Sequence, residues 1–161
     1  MSQLKNKATL SLILIFSVFA LIAAYFIQYI LGHKPCNLCL IERLPYISSI
    51  ILTLLSLILK KFEKIIFILL ALIFISATII SFYHFGIEQS FFQESLVCNS
   101  NNEINNLNKE NLLKELQKRT ISCKDVDFRF FGLSLATINT IISFILSVIT
   151  FKIFFNYEKN K

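Results

Sequence analysis

Four long apolar stretches constrain this chain more than any other feature, because each is long enough to cross a bilayer and together they leave little else to fold. They run over about residues 8–31, 44–59, 65–85 and 130–155. A helix needs about 20 apolar residues to cross a hydrocarbon core of roughly 30 Å. The first begins after Lys5 and Lys7 in the manner of a signal peptide. It is too long for a signal h-region and lacks a small-x-small cleavage site, so an uncleaved span is expected. The second is short, and Pro45 near its start sits where a missing N–H costs little. Hydrophobic residues make up 55% of the chain and charged ones 16%, with a mean hydropathy of +0.67, far from a soluble domain. The expected fold is an all-α membrane protein, a bundle of four transmembrane helices in a single domain over residues 1–161.

The loops set the expected orientation. Lys60-Lys61-Phe62-Glu63-Lys64 leaves room only for a tight turn, which makes the second and third helices antiparallel neighbours. The 16 Lys and Arg residues divide evenly, eight on each side, but the segment 86–129 holds most of the outer ones and long loops weigh little in the positive-inside rule. The short basic segments therefore place both termini in the cytoplasm and the loops 32–43 and 86–129 outside. The formal charge of +6 comes largely from Lys beside the membrane, which argues against nucleic acid as a partner. Within the long loop, Asn99 to Asn111 is Asn-rich, and Ile104, Leu107, Asn111, Leu112 and Leu116 follow a helical period. That pattern suits a short helix on the membrane surface or one packed on the loop itself.

All four cysteines then face the outer compartment, where disulfides persist. Cys36-Asn37-Leu38-Cys39 can close a small exposed ring, since side chains three apart on a helical turn are neighbours and a disulfide needs Cα atoms about 5–6 Å apart. Such a ring switches between dithiol and disulfide, and the spacing lowers a thiol pKa. Half a zinc site is the competing reading. It would need a second close pair, whereas Cys98 and Cys123 are 25 positions apart, so no metal is expected. Taken alone, Cys98 and Cys123 read as a structural bridge, which would stabilise the loop by roughly 3.5 kcal/mol in the chain-entropy model. Their place on the same membrane face as the Cys-x-x-Cys permits exchange between the pairs, and hence the passage of two electrons.

Electrons entering a dithiol need a sink. No haem, flavin or iron–sulfur motif is present, so a lipid-soluble acceptor fits. Arg43, one helical turn after Cys39, can hold a thiolate and donate to a quinone carbonyl, or serve as a headgroup anchor. His84, in Tyr83-His84-Phe85-Gly86 at the outer end of the third span, can relay protons or contact a quinone ring, or simply bond a neighbouring helix. Asn139 and Gln28 are polar groups in or near the membrane, for which interhelical hydrogen bonds are the ordinary expectation. Gln28 also lies at the outer end, where it can line a quinone site. Gly132, Ala136 and Thr140, and Ala20 and Ala24, recur every fourth residue as small contacts between helices.

Four spans, the run Cys36-Asn37-Leu38-Cys39-Leu40-Ile41-Glu42-Arg43, the later Cys98 and Cys123, and the segments Tyr83-His84-Phe85-Gly86 and Phe131-Gly132-Leu133-Ser134 resemble the bacterial disulfide bond formation protein DsbB family over most of the chain. The chain departs from the family in having no Trp, with Phe128 and Phe130 standing near the membrane surface. The resemblance implies a thiol:quinone oxidoreductase of the bacterial inner membrane, with its cysteines in the periplasm. A reduced DsbA-like partner would react with the Cys98–Cys123 disulfide, forming the mixed disulfide at Cys98. Cys36 and Cys39 would reoxidise that pair, and Cys39 would face a ubiquinone or menaquinone beside Arg43. Two other classes stand beside it. One is a non-enzymatic four-helix protein whose stapled loops bind a partner, and the other is a metal-binding or transport protein using four thiolates.

Overall fold

A computed structural model describes residues 2–58, 63–94, 98, 122–124, 128–130 and 132–159. Its elements, in chain order, are α1 (Ser2–Tyr29), α2 (Asn37–Ile41), α3 (Leu44–Ile58), α4 (Glu63–Glu88), β1 (Arg129–Phe130), β2 (Leu133–Ser134) and α5 (Leu135–Lys159). Among the described residues, four helical segments are long and apolar enough to cross a membrane: Lys7–Tyr29, Asn37–Ile58, Lys64–Glu88 and Leu135–Phe155. The protein is a multi-pass helical membrane bundle. The Lys60–Lys64 turn, apart from the start of α4, and the Asn-rich segment with its amphipathic pattern lie outside the described residues.

The bundle buries hydroxyls beside its apolar core and turns further apolar side chains outward. Ser17, Ser49, Thr53, Ser81, Ser143 and Thr150 are fully buried, while Leu12, Ile15, Phe19 and Ile22 of α1 and Ile141, Phe144, Ile145 and Val148 of α5 face outward. In water that arrangement would expose a large apolar surface, whereas in lipid the outward side chains need no cover. Small interior side chains let backbones approach, and several of their hydroxyls bond the preceding turn or a neighbouring helix. Thr53 donates to Ser49 O at 2.7 Å and Thr150 to Leu146 O at 2.8 Å. Ser17 and Ser49 share a 2.8 Å hydrogen bond that ties α1 to α3. The apolar core joins Leu10 and Ile13 of α1, Tyr46 of α3, and Ile66, Phe67, Leu70 and Phe74 of α4. The most extensive packing is α4 along α5, followed by α1 along α3.

Two boundaries differ from the sequence expectation for physical reasons. The fourth helix begins at Leu135 and not near residue 130, because Arg129 pairs with Ser134 and Phe130 with Leu133 in a tight antiparallel hairpin. Gly132 makes the turn with φ +82°, a conformation that side chains disfavour. Gly132 is therefore a turn residue and not a small helix contact, while Ala136 is buried as expected. Ser134 then caps α5, accepting from Thr137 N at 3.2 Å.

The third helix runs on to Glu88, past the expected end at residue 85, and closes with a Schellman motif. Ser90 takes the left-handed position (φ 62°), Ser90 N donates to Ile87 O at 2.9 Å, and Phe91 N donates to Gly86 O at 2.8 Å. The reversal lays the Phe92 ring over Gly86, where an added Cβ would stand 2.1 Å from Phe92 Cδ2. Phe92 also stacks on Tyr83, with centroids 5.7 Å apart. Gly86→Ala is expected to push Phe92 off Tyr83 and cost about 1–2 kcal/mol, read as a lower unfolding midpoint in detergent.

Candidate functional site

The Cys-x-x-Cys is shaped by a helix start. Cys36 is the N-cap of α2, extended at φ −73° and ψ 170°, and its Sγ accepts from Cys39 N at 3.2 Å. One turn of helix then carries Cys39 back over Cys36. The cysteines are unbridged and their sulfurs are 2.7 Å apart, well inside van der Waals contact and close enough to close a bond. The ring expected to be exposed is largely covered: Cys36 is 5% exposed and Cys39 half-buried. Ile87 and the later cysteines close over it.

Cys36 is a strongly acidified thiol. The hydrogen bond from Cys39 Sγ–H is the largest influence and outweighs the opposing effect of burial; His84 and the Cys39 N–H assist, holding the pKa at about 5 against an ordinary 9.0. Around it stand Cys39 on α2, His84 on α4 and Glu42 in the turn before α3. Ultraviolet thiolate absorbance of the reduced protein is expected to grow in with a midpoint near pH 5 and to be complete for this thiol by neutrality. A midpoint near 9 would remove the acidified thiol from the site.

Behind the thiols a buried polar network joins three helices. His84 Nε2 lies 3.5 Å from Cys36 Sγ, and Nδ1 lies 2.8 Å from Glu42 Oε1. Glu42 Oε2 accepts from Asn139 Nδ2 at 2.8 Å, and the same amide nitrogen reaches Ser81 Oγ at 2.7 Å. Tyr46 donates its hydroxyl to Asn139 Oδ1. Glu42 and His84 are 8% and 3% exposed, so each depends on the other for its polar partners. Asn139 makes the interhelical bonds expected of it, and it does so at the site, positioning the carboxylate that positions the histidine.

Arg43, adjacent to Glu42, has different partners. It donates from Nη1 to Gln28 Oε1 at 2.7 Å, and its guanidinium carbon lies 4.9 Å from the Tyr25 ring centroid. The structure thus joins Arg43 to Gln28 on α1, and His84 to Cys36 and Glu42.

The remaining cysteines form a disulfide, Cys98–Cys123, with Cα atoms 5.5 Å apart. Both are buried in one cluster with Cys36, Leu38 and Ile87, against which Cys39, Ile41 and Tyr83 pack. Glu94 holds the second strand of the bridge in place: Oε1 accepts from Ser122 Oγ and, at 3.1 Å, from Lys124 N. The two cysteine pairs, far apart in sequence, are thereby packed together.

Sequence reasoning passed over Glu42, Asn139 and Glu94 as site residues. Glu42 was visible as a carboxylate one turn after Cys39 at a membrane boundary, where an acid needs a partner. Nothing in the sequence marks Glu94, whose role comes from a contact made across the undescribed part of the loop.

A family model for disulfide bond formation protein DsbB matches residues 6–153. An uncharacterized protein, RP370, of Rickettsia prowazekii (strain Madrid E) is 32% identical over 155 residues, covering 94% of this chain and 90% of that protein.

Proposed function

The chain belongs to the DsbB family of disulfide bond formation proteins, and from that premise we propose that it is a membrane thiol:quinone oxidoreductase that reoxidises a DsbA-like periplasmic thiol oxidase. One observation carries the reading: two cysteine pairs, one bridged and one open, packed in a single buried cluster. The reduced partner's thiolate attacks the Cys98–Cys123 disulfide. A mixed disulfide forms at Cys98 and Cys123 leaves as thiol; the partner's second thiol then resolves it and the partner departs oxidised. Exchange with the Cys36–Cys39 disulfide restores the Cys98–Cys123 bridge and leaves the open pair seen here.

That open pair must lose two electrons and two protons, and a quinone accepts both. The residues present fit such a group. Arg43 and Gln28 bring N–H donors to the outer end of the bundle for a carbonyl oxygen, with the Tyr25 ring beside them. His84, hydrogen-bonded to Cys36 on one side and Glu42 on the other, is placed to take the thiol proton, while Glu42 stabilises the imidazolium. A DsbA-type couple lies at about −120 mV, too oxidising for glutathione to regenerate, and the DsbA–DsbB–quinone route is the established means of keeping the periplasm oxidising. In this reading both termini are cytoplasmic and the cysteines periplasmic, in the inner membrane.

The test is direct. The purified protein, in detergent with ubiquinone or menaquinone and a reduced thioredoxin-like dithiol protein, is expected to bleach the quinone absorbance. If neither quinone is reduced by folded protein with an intact Cys98–Cys123 bridge, the non-enzymatic, partner-binding reading takes its place.

A further inference from the structure

Cys36 Sγ, Cys39 Sγ and His84 Nε2 converge with all three atoms within 4.8 Å of one another. Two thiolates and an imidazole are the ligand set that zinc favours, with Zn–S about 2.3 Å and Zn–N about 2.0–2.1 Å. A tetrahedral centre built on those bonds has an S–N edge of roughly 3.6 Å and an S–S edge of roughly 3.8 Å. Cys36 Sγ and His84 Nε2 already stand 3.5 Å apart, and the sulfurs, at 2.7 Å, need only separate by about 1 Å, through χ1 of the half-buried Cys39.

Two further observations point to a ligand. With Nδ1 paired to Glu42 Oε1 at 2.8 Å, Nε2 is the His84 nitrogen that faces the sulfurs, and loss of its proton frees a lone pair there for a metal. A carboxylate behind a ligating histidine is the usual support of a metal site. The other observation is Glu88, one turn beyond His84 on α4. Its side chain is 6% exposed, its Oε1 is 3.8 Å from His84 Nε2, and its buried Oε2 has no hydrogen-bond partner among the described residues. A buried carboxylate oxygen left unsatisfied next to the histidine is suited to hold a water at the fourth position.

We propose that the reduced site binds one Zn²⁺ through Cys36, Cys39 and His84, with a water held by Glu88 at the fourth position, and that the bound ion withholds the cysteine pair from electron transfer. The capture stands on this geometry, while its consequence for electron transfer rests on the function proposed above. Binding is an acid–base step: the Cys39 thiol proton and the proton on His84 Nε2 leave to solvent, the sulfur and imidazole lone pairs go to the metal, and no electron moves. Oxidation requires the two sulfurs to bond each other, so the metal-bound pair stays reduced until the ion leaves. The disulfide form, having no thiolate, does not bind.

The experiment uses full-length protein in detergent, reduced with a phosphine and freed of excess reductant. Zn²⁺ is titrated against a chromophoric chelator, and Co²⁺ is added to a parallel sample. One equivalent of Zn²⁺ is expected to bind the reduced protein and none the oxidised protein, and Co²⁺ should give tetrahedral ligand-field bands with thiolate charge transfer on the wild type. Glu42→Gln keeps an acceptor for Nδ1–H but loses the charge, and is expected to weaken binding about 10–100-fold. Cys98→Ala/Cys123→Ala should leave it unchanged. Absence of binding, binding that survives Cys36→Ser and His84→Ala, or binding lost with the loop cysteines would overturn the proposal. Metal binding is read without quinone and quinone reduction without metal, so the two readings fail separately.

Discussion

Cys39→Ala is expected to lower dithiol-driven quinone reduction by at least about a thousandfold, because Cys36 and Cys39 act as one bond and a single thiol cannot close it. The sulfur lost is the one resting 2.7 Å from Cys36 and donating to its thiolate, so the variant also deprives Cys36 of the largest cause of its acidity. The Cys98–Cys123 bridge is held by its own contacts, through Glu94, Ser122 and Lys124, and should survive the change. The variant is therefore expected to accept one round of electrons from the partner at the Cys98–Cys123 bridge and then stop. Stopped-flow quinone absorbance and thiol titration of the arrested protein measure the two halves. Retention of more than a tenth of the wild-type rate would show that the electrons leave by a route not involving this pair.

The second large effect is expected at a residue that makes no bond to sulfur. Glu42→Ala removes the acceptor for His84 Nδ1 and for Asn139 Nδ2, both inside the bundle. Each unsatisfied buried donor costs about 1–3 kcal/mol, so a loss of about 3 kcal/mol of stability is expected, seen as a lower midpoint of unfolding in detergent and denaturant. Activity should fall about 10–100-fold in the fraction that remains folded, since His84 loses the partner that orients it toward Cys36. Glu42→Gln, which retains an acceptor oxygen and adds an amide, should keep most of the stability and lose most of that activity. If Glu42→Gln matched the wild type in rate, the carboxylate would be structural only.

Gly86 and Gly132 show how a sequence signature becomes physical. Both belong to the short segments that suggested the family, yet neither touches a reacting group. Gly86 leaves room for the Phe92 ring at the turn that ends α4 four residues past His84, and Gly132 turns the hairpin that sets where α5 begins. They fix the register of the two helices that carry His84 and Asn139.

The sequence by itself determined the four spans and the close Cys-x-x-Cys pair, because both are local properties. Hydrocarbon thickness sets the length of an apolar run, and a spacing of three residues brings two thiols onto one helical turn whatever else the chain does. It also carried the family, through motifs that lie in the matched residues 6–153. Only the tertiary structure decided which helices share polar groups at the cysteine end of the bundle. Cys36, Glu42, His84 and Asn139 are separated by up to about a hundred positions, and hydropathy assigns each of them only to a span or its edge. Whether Arg43 meets Gln28, and whether His84 meets a sulfur, depends on helix rotation. Small buried residues allow the helices to approach, as where Ser17 of α1 and Ser49 of α3 share a hydrogen bond. Burial then makes the pairing obligatory, since a carboxylate and an imidazole withdrawn from water must satisfy each other.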